Sequence, residues 1–254
     1  FAQLANAATH QALGQANLNL FDGSIDPKRV GVIIGSGVGG IMTLSEQWQV
    51  LAEKGPDRIS PFLVPMMLAD MASGQISIMF GAKGPNYCIV TACSSGADAI
   101  GLASQMIQRD EVDIVIAGGA EAPICPITVS GFNACKALST RNDDPAGASR
   151  PFDRDRDGFV IGEGAGVLIL ENEKSANRRN AAPLAEFAGY GASSDAHHIT
   201  QPGPEGLGAA SAMHKALENA NLNPVDISYI NAHGTGTPLN DKFETMAIKS
   251  VFNE

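Results

Sequence analysis

Two places in this 254-residue sequence gather residue types that can do covalent or acid–base chemistry. The first is IVTACSSGADAIG, residues 89–101, where a β-branched run stops at Cys93 and small residues then open a helix-like pattern. A thiol there is either a small apolar group filling a tight corner or a nucleophile displayed at a helix N-terminus. The second reading has a physical basis. The N-terminal end of a helix carries about half a positive charge and several unpaired N–H groups. That environment favours a thiolate, and a flanking N–H can donate to an oxyanion. The second place is NAHGTGTPLNDKFET, residues 231–245. His233 is followed by two hydroxyls, Thr235 and Thr237, on a glycine-permitted turn, and Asp241 and Glu244 open the next helix. A histidine at a strand's carboxyl end lies where α/β sheets build their sites.

Holding these groups requires strands and helices in alternation, and the hydrophobic pattern supplies them. Residues 2–18 carry apolar side chains at helical spacing, and RVGVIIGSG reads as a buried strand entering a glycine turn. Residues 41–55 read as a helix. Residues 61–81 read as one more, opened by Ser60-Pro61 in N-cap and N1 positions. YCIVTA is expected to be a strand, residues 94–110 a helix, and VDIVIAGGAE another strand. GFVIGEGAGVLILE reads as a hairpin-like pair, and APLAEFAGYGASS as a long strand. Residues 206–222 form a helix ended by Asn219–Asn223, and ISYINAHG is the last expected strand. The class is α/β, in layers, with a mostly parallel sheet. The long polar loop Leu138–Asp157 is expected to be functional or interfacial.

Composition narrows the function classes. The net charge of −10 argues against nucleic acid and against an anionic membrane surface. No apolar run approaches the roughly 20 residues of a membrane span. The cysteines, Cys88, Cys93, Cys125 and Cys135, lack metal-site spacing, so reduced thiols in a cytoplasm-like compartment are expected, with no metal and no cofactor. The sequence starts at Phe1 and is expected to be a piece of something longer.

Three other motifs weigh against their first reading. GSGVGG, residues 35–40, matches a dinucleotide fingerprint, but residues 41–54 continue as a helix and no acidic strand end follows about 20 residues on. A tight strand-to-helix turn is the better reading. DRDRDG, residues 153–158, begins like a calcium loop, yet its twelfth position is Gly164. His197-His198 are vicinal, and adjacent side chains on a strand point apart.

Taken together the segments VGVIIGSGVGG, TACSSGADAIG, GGAEAP, ALSTRNDDPAGASRPFDRDRDGFVIGEGAGVLILE, GASSDAHHIT and NAHGTGTPLND resemble the β-ketoacyl-[acyl-carrier-protein] synthases of the thiolase superfamily, nearest the elongating type of bacterial fatty acid synthesis. The resemblance runs almost end to end. It implies a thiolase-like layered fold with mixed sheets between helices, a first half nearly complete at 1–171 and a truncated second half at 172–254.

It also implies roles. Cys93 matches the nucleophile that takes an acyl group from a carrier protein's phosphopantetheine arm. Malonyl carrier protein then loses CO2, and the carbanion attacks the acyl thioester. His233 matches the first of two active-site histidines, which supports decarboxylation. Thr235 and Thr237 match positions that hydrogen-bond the pantetheine. Met67 and Leu68 lie in a segment, SPFLVPMMLADM, that lines the acyl pocket. Lys136 matches a basic carrier-contacting position, and the strand Tyr87–Thr91 is expected to pair across a homodimer. The second histidine, the lysine and the glycine-rich gating loop of the family lie outside these residues, so this polypeptide alone is not expected to complete the condensation. A polyketide ketosynthase, a non-catalytic chain-length partner and a thiolase-like enzyme acting on coenzyme A esters are the rival readings. Cys93 argues against the second, and NAHGTGT against the third.

Overall fold

The computed structural model describes residues 1–252. Its chain divides into two units, Phe1–Thr128 with Gly162–Glu186, and Val129–Ile161 with Phe187–Glu254.

In the first unit, helix α1 (Ala2–Gln15) leads to strand β1 (Val30–Gly35), helix α2 (Ile41–Lys54), and two short helices, α3 (Leu63–Met67) and α4 (Met71–Phe80). Strand β2 (Asn86–Tyr87), helix α5 (Ser95–Gln108) and strand β3 (Ile114–Glu121) follow. Helix α6 (Pro126–Ala134) comes next in the chain but falls mostly in the second unit, and strand β4 (Gly164–Glu171) and helix α7 (Glu173–Arg178) complete the first. The sheet order is β2-β1-β3-β4. β1 is parallel to β2 and β3, and β4 runs antiparallel to β3.

The two central strands are buried on both faces, which is why β1 and β3 read as continuous apolar runs. Val30, Val32 and Ile34 of β1, with Ile114 and Ile116 of β3, pack towards Ala5, Leu13, Ala72 and Ile76 on α1 and α4. Ile33, Val115 and Ala117 face the other way, onto Ala99, Ala103 and Met106 of α5. Each fully buried branched side chain is worth about 1.5–3 kcal/mol. Arg179 fastens the edge. Its guanidinium grips Glu171 at the end of β4 (2.7 Å) and donates to Ala16 O at the end of α1 (2.8 Å).

The second unit contains helices α8 (Leu207–Ala220) and α9 (Pro238–Phe252). They bury Ala210, Leu217, Ala247 and Val251 against one another, with Met213 and Ile227 alongside. Asn221, at φ +54°, ends α8 in the left-handed region, as the asparagine cluster suggested.

Several expected elements differ. Residues 61–81 are two helices rather than one, because the chain turns at Leu68–Asp70. Phe62, not Ser60, sits at the N-cap of α3. Only Asn86–Tyr87 of the YCIVTA region is laddered. GFVIGEGAGVLILE is the single strand β4, since Phe159 bridges Leu138 instead of folding back on 164–171. Residues 182–194 and 227–234 form no strand. Apolar alternation alone does not make a strand, because its N–H and C=O groups need a neighbouring ladder, and none is present for these segments among the described residues. α6 was not anticipated. No helix among the described residues is long and apolar enough to cross a membrane.

Candidate active site

Cys93 sits in a single 3₁₀ turn, Ala92–Ser94, directly before α5, and is exposed. The residue before it, Ala92, has φ +52°. A left-handed non-glycine residue costs about 1–2 kcal/mol, and such strain persists only where surrounding contacts over-determine it. Here they do. Ser95 Oγ accepts from Thr91 N (2.9 Å) and donates to Ala92 O (2.6 Å), while Ser94 N donates to Thr91 O (3.2 Å). The start of α5 lies hard against the sheet. A Cβ added to Gly35 would fall 2.3 Å from Ser95 C and O, and one on Gly119 would fall 3.1 Å from Gly96 Cα.

The other thiols differ. Cys88 lies just past β2, not inside the strand expected there, and is half-buried. Burial pushes its thiol above the ordinary value, which works against a nucleophile. Cys125 Sγ lies 3.3 Å from Thr128 Oγ1. Cys135 is exposed near the end of α6.

The GSGVGG turn after β1 is held from inside the protein. The Glu121 carboxylate accepts from Ser36 Oγ (3.0 Å), Gly37 N (2.6 Å) and Val38 N (3.2 Å). Ser36 Oγ in turn accepts from Gly39 N (3.1 Å). The N–H groups that would cradle a phosphate are thus engaged by an internal carboxylate, as a tight structural turn requires. The same turn holds α3, since Gly40 N donates to Met67 O (3.1 Å). A Cβ on Gly40 would lie 2.1 Å from Met66 O. Met67 and Leu68 therefore sit at the end of a segment tied to this turn, Met67 half-buried and Leu68 exposed.

In the second unit His233 is exposed, in a segment without strand structure. Its backbone N–H and that of Gly234 both donate to Glu244 (2.6 and 2.9 Å). The Thr235 and Thr237 hydroxyls are 2.8 Å apart. Asp241, buried in the first turn of α9, accepts from Gly236 N (3.1 Å) and Phe152 N (2.7 Å). Arg156 donates to Thr237 O (3.2 Å) and Pro238 O (2.8 Å). One turn thus brings His233, Thr235 and Thr237 together. Glycines make it possible, Gly234 and Gly236 having φ +52° and +76°.

Lys136 is exposed at φ +55°, just past α6. Its N–H donates to Asn133 O, and Ala137 N donates to Phe132 O, a helix end that glycine usually occupies. The acidic loop is tied in part to itself. Asp157 accepts from Ser139 Oγ (2.7 Å) and Thr140 N (2.9 Å), and these bonds hold its carboxyl below the usual value. His198 Nδ1 accepts from Thr200 N and Gln201 N, closing a local turn.

Two family models, "Beta-ketoacyl synthase, N-terminal domain" and "Beta-ketoacyl synthase, C-terminal domain", match residues 1–176 and 184–254. The chain belongs to the β-ketoacyl synthase family. Within it, the chain is 50% identical over 254 residues to a 3-oxoacyl-[acyl-carrier-protein] synthase 2 of Staphylococcus aureus (strain N315), covering all of this chain and 61% of that protein. It is 51% identical over 251 residues to the synthase of the same name from Synechocystis sp. (strain ATCC 27184 / PCC 6803 / Kazusa), covering 99% of this chain and 60% of that one. The chain thus spans about three-fifths of the length of these relatives. Among solved structures, a type II PKS ketosynthase in complex with its acyl-carrier protein and bound to the hexaketide superposes with a TM-score of 0.94. It is 35% identical, over 100% of this chain and 63% of that one. The thiolase-like α/β class expected from the sequence is therefore the observed one.

Within this synthase family frame, Glu121, Glu244, Asp241 and Arg156 are residues whose contacts the sequence reading missed. Asp241 and Glu244 left a signal: an acid in the first helical turn and another three residues on, over the same face, can reach back to the N–H groups of the preceding turn. Glu121 left only a weaker one, an acid closing an otherwise apolar strand.

Proposed function

We propose that the whole protein is a β-ketoacyl-[acyl-carrier-protein] synthase, an acyltransferase of fatty acid biosynthesis. The acyl group of a carrier-protein thioester passes to Cys93 Sγ, and the carrier's thiol leaves. Malonyl carrier protein binds next and its carboxylate departs as CO2. The carbanion attacks the acyl carbonyl on Cys93, expels the thiolate, and leaves as 3-oxoacyl carrier protein. Covalent catalysis of this kind divides one hard step into easier ones.

The observation that carries this reading is the strained Ala92 turn, which presents an exposed Cys93 at the start of α5. His233 donates to the thioester oxygen as negative charge develops there, a stabilisation made in the transition state. Thr235 and Thr237 receive the pantetheine, and Met67 and Leu68 face the acyl chain. Lys136 supplies local positive charge for an acidic carrier protein, since steering follows the local field rather than the net charge of −10. Its left-handed backbone, where glycine is the usual residue, supports a role for the side chain. The reading includes a cytoplasmic homodimer joined along Tyr87–Thr91, halves that divide at 171/172, and no cofactor. The polyketide alternative is disfavoured by identity, 50% to the fatty acid synthases against 35% to the polyketide neighbour.

Brief iodoacetamide treatment with peptide mapping tests the assignment. Cys93 should label ahead of Cys88, Cys125 and Cys135, and Cys93→Ala should lose acyl loading while remaining folded. His233→Ala should load an acyl group normally but decarboxylate malonyl thioester slowly. Preferential labelling of another cysteine, or loading of the alanine variant, would overturn the assignment.

A further inference from the structure

We infer that Glu121 is a positioning residue for the Cys93 thiol, acting through the turn Ser36–Gly40; this rests on the reading of Cys93 as the nucleophile.

Three observations on independent parts of the chain converge on that turn. First, Glu121 closes β3, and its two carboxylate oxygens receive three donors from the turn: Ser36 Oγ, Gly37 N and Val38 N. Ser36 is 1% exposed, so its hydroxyl has no solvent to fall back on. Second, Gly37 lies beside the strained residue of the nucleophile turn. A Cβ on Gly37 would lie 2.9 Å from Glu121 Oε2, 3.8 Å from Ala92 O and 4.0 Å from Ala92 Cα. Glu121 Oε2 and Ala92 thus border the same small space beside Gly37, and Ser36 N also ties the turn to the segment before Cys93 by donating to Ile89 O (3.2 Å). Third, the turn's end holds the segment of Met66 and Met67 through Gly40. One carboxylate thus sets the place of the peptide that carries the thiol and of the segment assigned to the acyl chain.

The chemistry requires an anion with two free acceptors. Glutamine can keep its oxygen on Gly37 N and Val38 N, but its amide nitrogen would then donate to Ser36 Oγ, which already accepts from Gly39 N, and the buried Ser36 O–H would lose its acceptor. The turn would have to shift to restore it, carrying the Gly37 backbone beside Ala92 and the Ser36–Ile89 bond with it. Misplacement of a reacting group by about 1 Å can cost on the order of a hundredfold in rate.

The test is Glu121→Gln in the whole protein. The expected result is kcat for condensation at least tenfold lower, KM for the carrier-protein substrates unchanged, and iodoacetamide alkylation of Cys93 slowed in parallel across its pH profile, with the melting temperature still well above the assay temperature. Ser36→Ala, which removes one donor, should shift both rates in the same direction by two- to threefold and serves if the glutamine variant does not fold. Wild-type kcat and alkylation in either folded variant overturns the inference, as does a loss of rate that only tracks the unfolded fraction. Alkylation needs no thioester substrate. A wild-type protein that forms no 3-oxoacyl product would therefore sink the proposed reaction while the alkylation rates still report on Glu121.

Discussion

Arg156 and Asp241 are paired at 3.4 Å, with the Asp241 side chain 1% exposed and that of Arg156 18% exposed. The pair joins the acidic loop before β4 to the first turn of α9. Between them they hold both sides of the turn that carries Thr235 and Thr237: Asp241 takes Gly236 N, and Arg156 takes Thr237 O. A buried pair is weak evidence of net stabilisation, but removing one partner leaves the other uncompensated.

Asp241→Ala should therefore lower stability by about 3 kcal/mol, because it takes the counter-charge from Arg156 and strands the N–H groups of Phe152 and Gly236. Urea denaturation of the whole protein measures this. A loss below about 1 kcal/mol would show that the carboxylate is replaceable by water.

Ala92→Gly separates strain from function. Glycine removes a left-handed cost of about 1–2 kcal/mol and adds an entropic cost of about 0.5–1 kcal/mol. Stability should be unchanged or raised by about 1 kcal/mol. Acyl loading should fall about tenfold, since the turn gains freedom that the thiol's placement excludes. Thermal melts and loading kinetics on the same sample decide it, and a variant that is both looser and equally fast would count against the strained turn.

The acid limb of stability should include Asp113. Arg29 donates to it at 2.7 Å and Asn172 at 2.9 Å, and the Arg29 bond chiefly holds its carboxyl below the usual value. A depressed carboxyl contributes stability that is present above the unfolded value near 3.9 and is lost as pH falls through the folded value. Asp113→Asn should thus be less stable than wild type at pH 7, with a gap that narrows below about pH 4. Urea midpoints at pH 7, 4 and 3 test the sign. A gap that widens on acidification would refute it.

The legible parts of the chain were those where one physical cause dominates. β1, β3 and α5 announced themselves because strands buried on both faces give continuous apolar runs, and because α5 keeps a helical apolar period. The thiol at the start of α5 was readable for the same reason. Residues 182–194 and 227–234 misled because alternation reports which face is apolar, not whether a ladder exists. The break between α3 and α4 hid in a run that stays apolar through the turn. Glu121 was opaque, and Asp241 readable only in its local bond to Gly236 N, because their other partners lie far away in sequence: Gly37 for one, Phe152 and Arg156 for the other.

The close meeting of Gly35, Gly96 and Gly119 restricts the order in which this chain can diverge. A methyl on Gly96 would find Gly119 Cα at 3.5 Å, an ordinary contact, so that position can drift first. A methyl on Gly119 would meet Gly96 Cα at 3.1 Å and needs a small outward shift of the helix. A methyl on Gly35 would overlap the backbone of Ser95 and is closed unless the helix is re-laid, which would carry Cys93 away with it. Descendants that retain the thiol's address are therefore free to vary at the helix before the sheet, and a lineage that has lost Gly35 has also given up the place where its cysteine stood.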